Sequence, residues 1–165
     1  MKQGKHRNLW LELTVIVTSI LALALLVYFV VIVSFQNGVS SKNVTMQFAG
    51  RIARTVFDDP EQEQIETVSL MIRYGAHVAL FFVVGLVTAF VSMVIFRGYF
   101  RILGVFLAGV ACYMMAYYTE YFKQYIDGRH FHVTDVELNW YGCLAGIFCM
   151  VGSYFLNRLL VKLSN

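Results

Sequence analysis

The sequence predicts an all-α integral membrane protein, a four-span transmembrane helix bundle with an extracytoplasmic helical segment between spans 1 and 2. Of its 165 residues, 59% are hydrophobic, only 14% are charged and one is proline, a composition unlike that of a soluble domain. Four uncharged runs each approach the ~17–25 residues that a helix needs to cross a bilayer. The chain is therefore interpreted as one membrane domain, residues 1–165, with spans at about 10–35, 73–96, 102–119 and 138–158.

Basic residues predict the orientation of the bundle. The first apolar run is too long for a signal peptide and is expected to stay as span 1. With the N-terminus inside, Glu12 is the only acid near the cytoplasmic segments, and the other nine of the ten acids lie on the opposite side. Because cytoplasmic loops are enriched in lysine and arginine, both termini are predicted to be cytoplasmic. The basic residues concerned are Lys2, Lys5, Arg7, Arg97, Arg101, Arg158 and Lys162.

Several classes of partner are excluded at this stage. The net charge is only +3. The sequence contains neither a basic helix nor a basic patch interleaved with aromatic residues, so nothing in it indicates nucleic-acid binding. Cys112, Cys143 and Cys149 all lie inside apolar runs, which favours buried thiols over a metal site. No metal or cofactor is expected, and the lipid bilayer is the expected partner.

The polar segment between the first two spans is predicted to be helical. Met46, Ala49, Ala53 and Phe57 recur every three or four residues, a pattern typical of an amphipathic helix. This helix would lie on the outer leaflet or pack over the bundle. A second helix is predicted to start with Asp59 as its cap and to continue into span 2.

Small residues at helical spacing indicate close packing between spans. Gly85 lies on a small and polar stripe of span 2, and Gly142 and Gly146 lie on one stripe of span 4 with Asp135 and Asn139. Such stripes allow membrane helices to approach closely. The three glycines are therefore predicted to be helix-packing residues.

Ionisable residues cluster near the predicted outer ends of spans 2, 3 and 4. Charges inside a bilayer are costly, so their grouping suggests a polar pocket. The arginines are expected to pair with Glu120 and Asp135 or to bind a phosphate or carboxylate, and Arg129 in particular is expected to pair with Asp135. The predicted cluster consists of Arg73, His77, Glu120, Gln124, Arg129, Asp135 and Asn139.

These residues resemble the VanZ-like family of membrane proteins, over roughly residues 34–150. Ile72–His77 is similar to the family pattern I-R-K-x-A-H, and Gly85 follows that histidine at the family's distance. Lys123 stands where the family has glutamine, with Gln124 one residue later, and Asp127 replaces a proline. The family pattern E-x-x-Q-x-F-x-P-G-R, followed by Asp, Asn and Gly, is matched by Glu120, Gly128, Arg129, Asp135, Asn139 and Gly142.

The resemblance implies a bacterial cell membrane protein associated with lowered susceptibility to teicoplanin-type glycopeptides. Three functions stay open on the residues alone. The pocket could bind an anionic lipid head group or a cell-wall precursor. Alternatively, the protein could be an intramembrane enzyme that modifies a lipid-linked substrate. His77 or Glu120 would then act as base, Arg129 would stabilise an anion and Asp135 would be the orienting acid. The third is a structural membrane subunit. The catalytic residues and the oligomeric state stay unassigned.

Overall fold

The computed structural model describes residues 9–35, 38–57, 59–126 and 128–164, and all regular structure in these ranges is helical. The prediction of an all-α fold is therefore confirmed for the described part of the chain. Four residues on which the predicted orientation or the family likeness depends lie outside these ranges: Lys2, Lys5, Arg7 and Asp127. The helices are α1 (Leu9–Ser34), α2 (Gly38–Val56), α3 (Gln62–Ile95), α4 (Phe100–Lys123) and α5 (Val133–Ser164).

Four of these helices, α1, α3, α4 and α5, are long and apolar enough to cross a membrane. This number agrees with the prediction and indicates a multi-pass membrane protein. The helices α3 and α5 contain 34 and 32 residues, so each is about 50 Å long at ~1.5 Å per residue. Since the hydrocarbon core is only ~30 Å thick, both extend well beyond it.

The central element is α3, which contacts all four other helices and packs most extensively against α5. Glycines make that contact close. A Cβ atom on Gly85 would overlap the backbone carbonyl of Cys143, and one on Gly146 would overlap the carbonyl of Phe82. At Gly142 it would lie 2.5 Å from the carbonyl oxygen of Val78. The backbones of α3 and α5 therefore touch at the positions where the side chain is missing.

Small side chains also line the buried face of α4. Gly104, Ala108, Cys112 and Ala116 are buried along this face, and Cys112 joins Cys143 in the main apolar cluster with Phe81. The cysteines at 112 and 143 are both buried free thiols. The outward faces of the long helices carry large exposed apolar side chains, as lipid contact requires.

The amphipathic helix α2 packs over the bundle. Its Ala49 and Ala53 are fully buried, and its one extensive contact is with α3. The second predicted helix does continue into a span as α3, but its start was predicted wrongly. The helix begins at Gln62, so its N-cap is Glu61 rather than Asp59. The backbone N–H of Glu61 donates to the side-chain oxygen of Gln64 at 3.0 Å, as in a capping box.

Basic side chains gather at one end of the bundle. Arg97, just after α3, forms an ion pair with Glu12 of α1 at 3.1 Å. Arg101 of α4 donates to the hydroxyl of Tyr154 of α5, and the guanidinium of Arg158 lies 5.5 Å from the centre of the same ring. The beginning of α1 and the final turns of α5 therefore share one end of the bundle, and the polar cluster lies towards the other.

Candidate polar cavity

A cavity of about 530 Å³ opens at the end of the bundle away from the basic side chains. It lies between the end of α1, the start of α2, the first half of α3, the end of α4 and the loop before α5. Its volume is within the ~300–1,000 Å³ typical of ligand sites. Among the described residues, its lining includes four lysine or arginine side chains and two carboxylates, together with three histidines: Lys42, Arg73, Lys123, Arg129, Glu66, Glu120, His77, His130 and His132.

Arg73 and Asp135 form an ion pair behind the cavity wall. The guanidinium of Arg73 donates to Oδ2 of Asp135. The carboxylate is almost completely buried, with 2% of its side chain exposed, whereas 44% of the Arg73 side chain is exposed. Asp135 lies in the first turn of α5, where the helix dipole favours a negative charge. The pair therefore anchors the start of α5 against α3.

His77 lies one turn further along α3 and faces two residues of α5. Its Nδ1 is 2.9 Å from Oδ1 of Asn139, a distance at which a protonated Nδ1 donates a hydrogen bond to this amide oxygen. Its Nε2 is 3.8 Å from Oδ2 of Asp135. The structure thus brings Arg73, His77, Asp135 and Asn139 together, because the four-residue spacings on α3 and α5 match one helical turn each.

Glu120 and Lys123 form a second ion pair on α4. They are three residues apart, the ammonium group donates to Oε2, and the side chains are only 1% and 4% exposed. The other carboxylate oxygen, Oε1, is buried and has no hydrogen-bond partner among the described residues. A buried pair of this kind is electrically neutral overall and lines the cavity without adding net charge.

Lys123, which was not in the predicted cluster, lines the cavity, whereas the predicted Gln124 does not. Gln124 is exposed at the end of α4 and does not line the cavity. One further residue on a helix rotates the side chain by about 100°, which turns position 124 away from the bundle. The i,i+3 spacing of opposite charges between Glu120 and Lys123 was the available signal.

Arg129 enters the cavity from the loop before α5. Gly128 precedes it with φ 74°, a left-handed conformation that favours glycine. The expected ion pair between Arg129 and Asp135 is not formed, because Arg73 holds that carboxylate instead. No described acidic group lies within ion-pair distance of Arg129, and its buried Nε has no hydrogen-bond partner among the described residues.

The guanidinium of Arg129 keeps its charge in this setting. Burial lowers its pKa, as does the nearby Arg73, while Glu120 and Asp135 raise it. An arginine starts from so high a pKa that such effects leave it protonated. Arg129 therefore presents a partly buried positive charge, and no carboxylate in the described part of the chain forms an ion pair with it.

Comparison with known proteins adds no relative: no family model, curated protein or solved structure matches the chain. The likeness to VanZ-like proteins therefore depends only on the short motifs, and the site has to be interpreted from its own chemistry.

Proposed function

We propose that this chain is a VanZ-like protein of the bacterial cell membrane whose cavity binds the anionic head group of a lipid or of a lipid-linked cell-wall precursor. Binding at the outer surface would lower susceptibility to teicoplanin-type glycopeptides, which carry an acyl chain and act there. In this proposal the end with Arg97, Arg101 and Arg158 faces the cytoplasm. The cavity and α2 then lie on the extracytoplasmic side.

The observation that carries the proposal is the guanidinium of Arg129, which has no carboxylate partner among the residues that the structure describes. Two other basic side chains lie at the centre of the site, and each has a carboxylate partner. Arg73 pairs with Asp135, and Lys123 pairs with Glu120. A buried charge without a partner is costly, and a guanidinium binds phosphate or carboxylate oxygens in bidentate fashion. An anionic ligand would supply the missing partner.

Mass spectrometry of lipids that co-purify with the detergent-extracted protein tests this directly. The wild type is expected to retain an anionic lipid or precursor, and Arg129→Ala is expected to lose it at least tenfold. Arg51→Ala is the matched control, because Arg51 is an exposed arginine on α2 that does not line this cavity. Equal retention by all three proteins would refute the proposal.

A second test addresses the phenotype in a host that expresses the protein. His77→Ala, Glu120→Gln and Arg129→Ala are expected to lose glycopeptide protection when it is compared at equal amounts of protein in the membrane, whereas Cys143→Ala is expected to keep it. Full protection by the three cavity variants would mean that these residues are not the site. An activity in which Glu120 acts as general base would be abolished by Glu120→Gln even where binding is retained.

A further inference from the structure

The cavity changes character along α3. At its outer end, α3 contributes the polar Glu66, Ser69 and Arg73, with apolar neighbours, and His77 follows one turn later. Below His77, the lining residues of α3 are Leu80 and Phe81. From residue 66 to residue 81 the helix advances about 22 Å, so the cavity is elongated and the polar side chains that α3 contributes all lie towards one end.

The part of the cavity beyond His77 is apolar on α3. The fully buried Phe81 belongs to the main apolar cluster with Val30 of α1. Val33 follows Val30 by three residues on α1 and also lines the cavity, next to Ser34. Ala76 is exposed and Leu80 is only half-buried, so the wall along α3 is not sealed. A small hydrophilic anion would fill the outer end and leave this apolar part without a partner, which is unfavourable for a solvated site.

We infer that the cavity takes a phosphate-headed lipid, with the phosphate at Arg129 and the first part of its acyl or prenyl chain between Val33 and the Leu80–Phe81 wall. This inference rests on the proposed function and extends it from a head group to a whole amphiphile. The phosphate accepts hydrogen bonds from a guanidinium fork. The remaining chain length continues into the bilayer past the open wall.

Photo-crosslinking of the full-length protein in nanodiscs tests the position of the chain. The probe is a phosphatidic acid with a diazirine on its acyl chain, and the control probe is a diacylglycerol with the same labelled chain. Crosslinks mapped by peptide sequencing are expected to be at least fivefold more frequent at Leu80 and Phe81 with the phosphate probe than with the neutral probe. Leu103, an exposed apolar residue of α4, is expected to react equally with both.

Two variants make the result specific. Arg129→Ala is expected to reduce the crosslinks at residues 80 and 81 to the level of the neutral probe. Leu80→Trp fills the part of the cavity beyond His77 and is expected to displace the labelled chain from Phe81, whereas Leu103→Trp is the matched control with an unchanged pattern. Should Leu80→Trp fail to fold, Val33→Trp blocks the same space from α1.

Glycerol 3-phosphate separates failure of this inference from failure of the proposed function. If it raises the thermal stability of the wild type and not of Arg129→Ala, while crosslinking at residues 80 and 81 is the same for both probes, the site is a head-group site and the inference is overturned. If neither glycerol 3-phosphate nor the lipid probe shows any dependence on Arg129, both are overturned. Preferential crosslinking that is lost in Arg129→Ala supports both.

Discussion

Arg73 and Asp135 form an ion pair between α3 and α5 although 62 positions separate them in the sequence. The pair is asymmetric, because water reaches the arginine and barely reaches the carboxylate. It lies at the cavity end of the bundle and joins the two helices that pack most closely. Because the two partners are buried to different extents, removing one or the other is expected to lower the free energy of unfolding by different amounts.

Arg73→Ala is expected to lower the free energy of unfolding more than Asp135→Asn. The first variant leaves a buried carboxylate without its ion-pair partner, at a cost of about 1–3 kcal/mol. The second leaves an arginine that water can solvate. Reversible unfolding in mixed detergent micelles measures both, and the double variant should recover part of the loss. If Asp135→Asn were less stable than Arg73→Ala, the carboxylate would not be the more buried partner of the pair.

Replacing Gly146 or Gly152 of α5 by alanine is expected to affect the stability of the protein differently. Gly146→Ala places a methyl group against the backbone of Phe82 and should cost about 1–3 kcal/mol. No atom lies within 4 Å of a Cβ at Gly152, so Gly152→Ala should be neutral or stabilising, by up to about 1 kcal/mol. Thermal unfolding in detergent compares the two variants. Equal melting temperatures would show that α3 and α5 do not pack at Gly146.

Breaking the pair between Glu120 and Lys123 is expected to destabilise the bundle strongly. Glu120→Gln or Lys123→Met leaves one buried charge without its partner, which costs about 3–5 kcal/mol. The double variant Glu120→Gln/Lys123→Met removes both charges and should be considerably more stable than either single variant. Glu137→Gln is the control, since Glu137 is exposed on α5. Additive losses in the double variant would show that the two side chains do not interact.

Labelling from outside the cell tests the orientation. With the native cysteines replaced, Gln62→Cys at the start of α3 is expected to react with an impermeant maleimide in intact cells. Ser164→Cys at the end of α5 is expected to react only after permeabilisation, because both termini are proposed to be cytoplasmic. The reverse pattern would invert the proposed topology and place the cavity on the cytoplasmic side.

The sequence by itself determined the class of the protein and most of the stripes that pack. Four apolar runs of membrane length and the recurrence of small residues every three or four positions are local properties, which the helical period turns directly into buried faces. Asp135, Asn139, Gly142 and Gly146 were assigned to one stripe on that basis, and all four are buried on α5. The continuity of α3 from the polar segment into span 2 followed from the same reasoning.

Only the tertiary structure decided which charges meet. Arg129 is six residues from Asp135, yet α3 brings Arg73 to that carboxylate and leaves Arg129 facing the cavity. Long-range pairing of this kind depends on how α3 and α5 are rotated against each other, which the backbone contact at Gly85 and Gly146 determines. Helix rotation also decides that Lys123 rather than Gln124 lines the cavity. Each residue turns the helix by about 100°, so neighbouring side chains face different surroundings.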